Sequence, residues 1–356
     1  MRYLHRDTAT PISKIGVGTW QFGSPEWSYG DQYAGPEARA IVRRARELGV
    51  TLFDTAEIYG FQLSPAAVRS LVHGVAFTDP ARAPGFGRGE QILGAALSSA
   101  GDRDGPVALV ATKFYPTVPA GRDVTSRARA SAERLGTSRI DLYQIHQPGR
   151  LARPGPVLRG VRALQQAGTI GEVGVSNASL RRWREAERAL GGRVLSNQVE
   201  YNLVTRAAEA DLLPFAEAEG RVLIAYSPLA QGFLSARYDA GHRPANPARA
   251  SGLRFQPENL DRAAPLFGLL REVAAAHDAT PAQIALAWVL HHPAVVAIPG
   301  AASVGQLESN VAAAAIDLSD DEYQALRAAA EAFRPAAESQ SGPSRIRSRA
   351  LAWLAE

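Results

Sequence analysis

The segment Val50-Thr-Leu-Phe-Asp-Thr-Ala-Glu-Ile-Tyr-Gly60 is the clearest indication of how this chain folds. It joins an apolar run, typical of a buried strand, to a polar turn that carries Asp54 and Tyr59. Apolar or β-branched runs recur along the chain at 15–19, 50–53, 107–112, 140–145, 170–175, 194–199, 222–226 and 294–298. Most are separated by residues at helical spacing, which indicates a parallel sheet. The count of eight favours one α/β domain, a closed (β/α)8 TIM barrel, over an open doubly wound sheet.

Three segments stand outside this alternation. Residues 1–14 contain two short runs joined by a Thr/Ala/Thr/Pro turn, which predicts a hairpin that plugs one end of the barrel. The inserted loop 61–87 and the Gly-, Pro- and Arg-rich segment 229–260 are too long for ordinary connections. Both are expected over the C-terminal mouth of the barrel, as lids or substrate walls.

Length and composition fit one barrel domain over residues 1–334, followed by a Ser/Arg/Pro-rich tail, 335–356. The chain has 356 residues, 46% of them apolar, and barrels of this size commonly form one domain. The net charge of +4 comes from scattered arginines, and the densest cluster, Arg181-Arg182-Trp183-Arg184, fits a solvated helix face better than a nucleic-acid patch.

Other classes of protein are excluded by what the sequence lacks. There is no cysteine, so disulfides, thiolate catalysis and zinc–thiolate sites are ruled out. No apolar secretory segment opens the chain, and no run approaches the length that spans a membrane. We therefore expect a cytoplasmic protein with no membrane or nucleic-acid partner, either a monomer or a homo-oligomer.

Four polar residues fall where strands end. Asp54, Lys113 and His146 follow the second, third and fourth strands, and Tyr59 lies one turn beyond Asp54. Since the C-terminal ends of barrel strands converge on one mouth, these side chains are expected to meet there. Lys113 is one of only two lysines beside 37 arginines, and an amine titrates far more readily than a guanidinium.

The combination predicts a general acid. A phenol has an ordinary pKa of about 10, and a close, desolvated ammonium is expected to lower that of Tyr59 by about two or three units. Asp54 would hold Lys113 charged and oriented. His146 would donate to a substrate carbonyl or couple to Tyr59.

Each residue alone also has an ordinary structural interpretation. Asp54 could cap a helix, Lys113 could lie on the surface and Tyr59 could be a half-buried aromatic. Their joint placement at consecutive strand ends favours function. The other histidines have no metal-ligand spacing, so no metal site is expected. The run Gly85-Phe-Gly87-Arg-Gly89 is only weakly like a dinucleotide-binding loop, because no strand precedes it.

Eight motifs, in this order, resemble the aldo-keto reductase family: Gly16-Val-Gly-Thr-Trp-Gln-Phe-Gly23, Asp54 to Gly60, Ala111-Thr-Lys-Phe114, Asp141-Leu-Tyr-Gln-Ile-His146, Gly174-Val-Ser-Asn177, Asn197-Gln-Val-Glu-Tyr-Asn202, Tyr226-Ser-Pro-Leu229 and Ile298-Pro-Gly300. The resemblance covers roughly residues 2–330. It implies a (β/α)8 barrel that binds NADP(H) across its mouth and a catalytic tetrad of Asp54, Tyr59, Lys113 and His146.

The resemblance also implies binding residues. For the cofactor, Ser176, Asn177 and Gln198 would hold the nicotinamide carboxamide and Tyr226 would stack on its ring. The backbone of Ser227, Pro228, Leu229, Gln231 and Gly232 would lie along the pyrophosphate, with Gly300, Ser303, Gln306 and Asn310 around the adenosine. Thr19, Trp20 and Ile298 are also expected to bind the cofactor. The binding residues for the substrate are Trp20, Phe22, Phe114 and Tyr115.

Two departures from the family pattern matter. The run Gly300 to Gln306 has no basic residue for a 2′-phosphate, so NADP(H) is favoured but NAD(H) is possible, with an arginine of 229–260 (Arg237, Arg243, Arg249 or Arg254) as a candidate substitute. The insertion 61–87 suggests a specialised substrate, for example a keto-sugar.

The implied function is reduction of an aldehyde or ketone by hydride transfer from NADPH, with Tyr59 as general acid. Oxidation of a sugar lactol or alcohol by NAD(P)+ would use the same residues. A non-catalytic NADP(H)-binding regulatory subunit and a lyase or isomerase on the same barrel are the alternatives from other classes.

Overall fold

A computed structural model of the chain describes residues 1–23, 35–60, 85–100, 107–116, 123–148 and 154–336. Most of the predicted insertion, 61–84, lies outside these residues, as does nearly all of the predicted tail, from 337 onward. The hypotheses about those two segments therefore stay predictions. The lid segment 229–260 lies within the described residues.

Eight parallel strands form a barrel whose order in space follows their order in the chain. After an N-terminal hairpin of β1 (Tyr3–Leu4) and β2 (Ile12–Ser13), they are β3 (Val17–Gly18), β4 (Leu52–Asp54), β5 (Leu109–Phe114), β6 (Ile140–Ile145), β7 (Ile170–Ser176), β8 (Ser196–Glu200), β9 (Val222–Tyr226) and β10 (Val295–Ala297). Each coincides with a predicted strand position. The (β/α)8 barrel is confirmed.

The barrel closes between its first and last strands through backbone contacts. Parallel bridges join Ile15 to Ala297 and Gly18 to Gly300, and the Gly16 amide donates to the Ala297 carbonyl at 2.8 Å. A Cβ on Gly18 would lie 2.6 Å from the carbonyl oxygen of Ile298. Only glycine therefore permits the close approach that seals the barrel at this point.

Helices follow the strands around the outside. They are α1 (Pro36–Glu47), α2 (Arg88–Ser99), α3 (Asp123–Leu135), α4 (Pro154–Gln166), α5 (Leu180–Leu190), α6 (Leu212–Ala218), α7 (Pro247–Ala250), α8 (Pro257–Arg262), α9 (Ala264–Ala276), α10 (Pro281–His291), α11 (Val304–Ala312) and α12 (Asp320–Ala332). Helix α1 buries Ala38, Ile41, Val42 and Ala45, the apolar stripe that its sequence predicts. None of the described helices has the length and apolarity needed to cross a membrane.

The N-terminal hairpin closes the bottom of the barrel. Strands β1 and β2 pair antiparallel, and Leu4 and Ile12 pack into an interior cluster with inward-facing strand residues such as Leu52, Leu109 and Val222. This confirms the hairpin plug. Because apolar side chains fill the bottom, the polar residues of the barrel interior collect at the opposite end, where the strands end.

Candidate active site

A buried ion pair between Asp54 and Lys113 forms the centre of the mouth. Asp54 ends β4 and Lys113 lies on β5, and their side chains are 1% and 0% exposed. The Lys113 ammonium donates to Asp54 Oδ1 at 2.7 Å, to Asp54 Oδ2 at 2.9 Å and to the Thr55 carbonyl at 2.8 Å. These three bonds use all the donors of the amine and fix its position.

Tyr59 lies beside this pair. A tight turn after β4, in which the Tyr59 amide donates to the Ala56 carbonyl at 3.0 Å, brings the ring back over the mouth. The Lys113 Nζ atom is 4.9 Å from the centre of the Tyr59 ring, and the His146 ring is 6.2 Å from it, edge-on. The structure thus brings together all four residues that the strand ends predict.

The expectation that Lys113 lowers the Tyr59 pKa is not met. Burial raises the pKa of the Tyr59 phenol well above its ordinary value, and the negative charge of Asp54 raises it further. The reason is that Asp54 neutralises Lys113 at hydrogen-bond distance and takes its donors, so little net positive charge reaches the phenol. Tyr59 is therefore fully protonated at neutral pH, the state that a proton donor needs.

His146 is a neutral imidazole. It follows β6, its amide donates to the Phe114 carbonyl at 2.9 Å, and burial lowers the pKa of its ring well below the ordinary value, helped by the charge of Lys113. In the described part of the chain its Nδ1 atom is buried without a hydrogen-bond partner. A neutral ring carries one N–H, so His146 can donate one hydrogen bond without adding positive charge.

An aromatic wall stands beside Tyr59 and His146. Trp20 is 41% exposed and its ring lies 5.3 Å from that of Tyr59, while the Tyr115 ring lies 5.9 Å from that of His146. The exposed Trp20 suits the substrate contact expected of it, whereas Tyr115 is buried, with 5% exposure, and packs against His146.

Phe22 and Phe114 do not suit that role. They are 0% and 3% exposed and belong to the core between barrel and helices, where Phe114 stacks on Tyr143. Side chains alternate along a strand, so the inward direction of Lys113 turns Phe114 outward. The structure therefore contradicts their placement among the substrate contacts.

The residues expected around a nicotinamide carboxamide form a connected cluster. Ser176 donates to the Gln198 carbonyl at 2.9 Å, Asn177 donates to the Ser176 hydroxyl at 3.2 Å, and the Tyr226 hydroxyl donates to Asn177 Oδ1 at 3.0 Å. Gln198 Nε2 donates to Asp54 Oδ2 at 2.7 Å, which joins the cluster to the ion pair. The half-buried Tyr226 ring is thus held at the mouth from its hydroxyl end.

The backbone after β9 forms a series of tight turns. Ser227, Ala230, Gln231 and Gly232 have positive φ angles of 47°, 48°, 59° and 92°. The Ala230 amide donates to the Ser227 carbonyl at 2.8 Å and the Gly232 amide donates to the Leu229 carbonyl at 2.9 Å, so these two amides are used within the turn. A Cβ on Gly232 would meet no atom within 4 Å, so there is open space above this backbone. Pro228 is buried in the same turn, whereas Leu229 is only partly covered.

The expected adenosine end surrounds the start of α11. Ser303 caps this helix by accepting from the Gln306 amide, and both side chains are exposed. Asn310 is buried and donates to the Gly300 carbonyl at 3.3 Å, which holds the preceding loop.

Two further residues expected at the cofactor have structural roles instead. The Thr19 hydroxyl donates to the Asp54 carbonyl at 2.9 Å and is fully buried, and Ile298 belongs to the apolar cluster inside the barrel. Both side chains are packed inside the barrel, where they make these contacts within the protein.

The arginines of 229–260 that are expected to substitute at a 2′-phosphate are largely engaged within the protein. Arg243 donates to two main-chain carbonyls of the same segment. Arg254 pairs with Glu200 at the end of β8, with 3.0 Å between Nη2 and Oε1, and Arg237 donates to the Tyr238 hydroxyl at 2.6 Å. These contacts do not favour the expected substitution by Arg237, Arg243 or Arg254.

The run Gly85 to Gly89 returns the chain to the active site. The Gly89 amide donates to the Tyr59 carbonyl at 3.0 Å, and a Cβ on Gly89 would lie 2.8 Å from the Tyr59 Cβ. These glycines therefore allow α2 to begin against the turn that carries Tyr59. A structural role for this run accounts for its glycines better than phosphate binding does.

Residues that sequence reasoning missed lie behind β5. Glu57 is buried within the same motif as Asp54 and Tyr59 and pairs with Arg127, and the buried Glu90 pairs with Arg134. A glutamate inside an otherwise apolar turn was the available signal for Glu57. Among the described residues, no group of three or more metal-ligand side chains is found.

Comparisons with known proteins agree with this geometry. The family model described as "Aldo/keto reductase family" matches residues 14–331. An uncharacterized oxidoreductase of Mycobacterium tuberculosis is 50% identical over 94% of this chain and 94% of its own length, and methylglyoxal reductase YeaE of Escherichia coli is 30% identical over 88% and 90%. The crystal structure of an aldo-keto reductase from Klebsiella pneumoniae in complex with NADPH superposes with a TM-score of 0.65 at 25% identity, over 96% of this chain and 98% of that one.

Proposed function

Because the chain belongs to the aldo/keto reductase family of nicotinamide-dependent oxidoreductases, we propose that it reduces an aldehyde or ketone with NADPH, using Tyr59 as proton donor. The observation that carries the proposal is the position of a protonated, buried phenol between an Asp54–Lys113 ion pair and a neutral His146. A proton donor at the mouth of this barrel is what carbonyl reduction needs.

The side chains act on the carbonyl oxygen. A bound reduced nicotinamide would supply a hydride to the carbonyl carbon. Negative charge then develops on the oxygen, where the Tyr59 hydroxyl donates its proton and the His146 N–H donates a hydrogen bond. The Asp54–Lys113 ion pair, whose Nζ atom lies 4.9 Å from the centre of the Tyr59 ring, packs against the phenol and holds it in place.

The residues present fit a nicotinamide cofactor. The Gln198 side chain donates to Asp54 through Nε2, so its Oε1 atom can accept a hydrogen bond from the nicotinamide carboxamide. Ser176 and Asn177 lie next to Gln198. The Tyr226 ring offers a flat face. The open space at Gly232 leaves room for a pyrophosphate, and the α11 N-terminus suits the adenosine phosphate.

The proposal is tested by turnover. Purified protein with NADPH and a panel of carbonyls, including methylglyoxal and keto-sugars, should consume reduced cofactor in step with alcohol product. The relative in Escherichia coli named methylglyoxal reductase supports including small dicarbonyls. Absence of turnover with every carbonyl, despite tight NADPH binding, would favour the regulatory-subunit alternative.

The preference for NADPH over NADH should be weak. The neutral run Gly300 to Gln306 lacks a charge-assisted contact to a 2′-phosphate, which is typically worth roughly 1.5–3 kcal/mol. The start of α11 still favours an anion, by about 0.3–1 kcal/mol. We therefore expect NADPH to bind more tightly than NADH by less than about 100-fold, measured as Kd by fluorescence titration at fixed salt.

A gain-of-function variant provides the control. Ala302→Arg adds a guanidinium beside the α11 N-terminus and should raise NADPH affinity by about tenfold or more without changing NADH affinity. Tighter binding of NADH than of NADPH by the wild type would contradict the NADPH assignment.

Deleting 61–84 should leave the barrel folded and NADPH bound, since loops on this face tolerate change. The ends of the deletion lie together, because a Cβ on Gly60 would be 3.1 Å from the Gly85 carbonyl oxygen, so a short Gly linker can join them. We expect kcat/KM for small aldehydes to persist or rise and that for the natural substrate to fall. Circular dichroism and the carbonyl panel measure this.

A replacement of 61–84 by a Gly/Ser loop of equal length separates the effect of loop composition from that of loop length. Should the deletion variant unfold while the replacement folds, the segment acts as a spacer and not as a substrate wall.

A further inference from the structure

Glu57 lies between Asp54 and Tyr59 in the chain and connects the turn after β4 to the end of β5. Regular pairing of β4 with β5 ends where Asp54 lies opposite Ala111. One further backbone hydrogen bond joins the Thr55 amide to the Ala111 carbonyl at 2.8 Å. Beyond that point the Glu57 amide donates to the Lys113 carbonyl at 3.1 Å, and Glu57 Oε1 accepts from the Tyr115 amide at 2.5 Å. A side-chain carboxylate thus takes the place of a backbone acceptor and extends the ladder past Lys113.

The carboxylate is itself held in place. It is 1% exposed, and Arg127 on α3 binds both of its oxygens, with Nε 3.1 Å from Oε2. The Glu57 carbonyl accepts from the Gly87 amide at 2.6 Å, which adds the start of α2 to the same point. Two strand ends and two helices therefore meet at one residue that does not face the mouth.

Tyr59, Lys113 and His146 all lie next to these contacts. Tyr59 is two residues after Glu57, Lys113 lies directly before the segment that Glu57 binds, and the His146 ring packs on Tyr115. We propose that Glu57 is a positioning residue, whose carboxylate holds the end of β5 against the turn after β4 and so sets the distances among Tyr59, Lys113 and His146. This inference rests on the proposed function.

A second buried pair behind β5 provides a matched control. Glu90 on α2 is 0% exposed and pairs with Arg134, which lies about two turns after Arg127 on the same face of α3. Its contact with β5 is to the Thr112 hydroxyl at 2.6 Å, a side chain, and not to the backbone beyond Lys113. The two pairs thus have similar burial and charge but different contacts with the strand end.

Burial also raises the pKa of Glu57 to about 7, although the charge of Arg127 opposes the rise. The other groups that face this cluster are Glu90 from α2, Arg134 from α3 and the Tyr143 hydroxyl from β6. As pH falls through about 7, Glu57 takes up a proton and its attraction to Arg127 weakens. The positioning contact should therefore be strongest above pH 7.

The test compares two double variants, Glu57→Leu/Arg127→Leu and Glu90→Leu/Arg134→Leu. Replacing both members of a buried pair avoids an unpaired charge, so both proteins should fold with similar Tm. The first should lose kcat by roughly 10- to 100-fold, because small misplacements of reacting groups are costly, with Kd for NADPH changed by less than about threefold. The second should keep kcat within about threefold of the wild type.

The pH profile gives an independent measurement. In the wild type kcat should fall as pH drops through about 7, and Glu57→Gln should remove that limb. Equal kcat in the two double variants, or an unchanged acid limb in Glu57→Gln, would overturn the positioning role while leaving the proposed function intact. A wild-type protein that reduces no carbonyl would instead refute the proposed function, and with it this role.

Discussion

Replacing Tyr59 by Phe should reduce carbonyl turnover by two or more orders of magnitude, because general-acid catalysis is typically worth about 10²–10⁴. Tyr59 is the only phenol among the four converging groups, and burial keeps it protonated, so no other group there is suited to supply the proton. His146 is a neutral ring and the Lys113 protons are all bonded to Asp54 and Thr55. The measurement is single-turnover reduction of a slow carbonyl, where chemistry limits the rate.

Cofactor binding should survive this change. The Tyr59 hydroxyl is not bonded to the Ser176–Asn177–Tyr226 cluster, so Kd for NADPH should stay within about threefold of the wild type. Tyr226→Phe is the matched control, since it removes a phenol at the same mouth but breaks the bond to Asn177. It should weaken NADPH binding more than it slows the chemical step. Near-wild-type turnover by Tyr59→Phe would show that another group is the donor.

The parts of the site that follow from strand position could be predicted from the sequence. Asp54, Lys113 and His146 each end or follow an apolar run, and parallel strands in a barrel bring such ends together. The same alternation could have placed Phe114 outside, since it neighbours the inward Lys113. Phe114 was expected to contact substrate because it lies in the family motif. The two-residue alternation of side chains along the strand was not applied to it.

Other features depend on packing between distant segments. Arg127 and Arg134 are two of 37 arginines, and nothing local marks them as partners of Glu57 and Glu90, which lie 70 and 44 positions away. The direction of the Tyr59 pKa shift likewise depends on distances, because it follows from how completely Asp54 occupies the Lys113 donors. Residue types at strand ends predict which groups meet but not how their charges balance.

Lys113→Arg should be nearly as damaging to turnover as Lys113→Met, although it keeps the charge. Lys113 is fully buried and its amine makes three bonds between 2.7 and 2.9 Å, so the larger, planar guanidinium cannot occupy the same space without moving Asp54 or Tyr59. A displacement of about 1 Å can cost roughly 10²-fold in rate. Steady-state kcat and Kd for NADPH are measured for both variants.

Two controls separate catalysis from folding in this experiment. Lys14→Arg alters the chain's other lysine, which caps the carbonyls of His292 and Pro293 away from the mouth, and should leave kcat unchanged. Since Lys113→Met leaves Asp54 buried and unpaired, which typically costs about 3–5 kcal/mol, Asp54→Asn/Lys113→Met should recover stability but not turnover. Activity of Lys113→Arg within about tenfold of the wild type would mean that net charge suffices and that the position of the amine is unimportant.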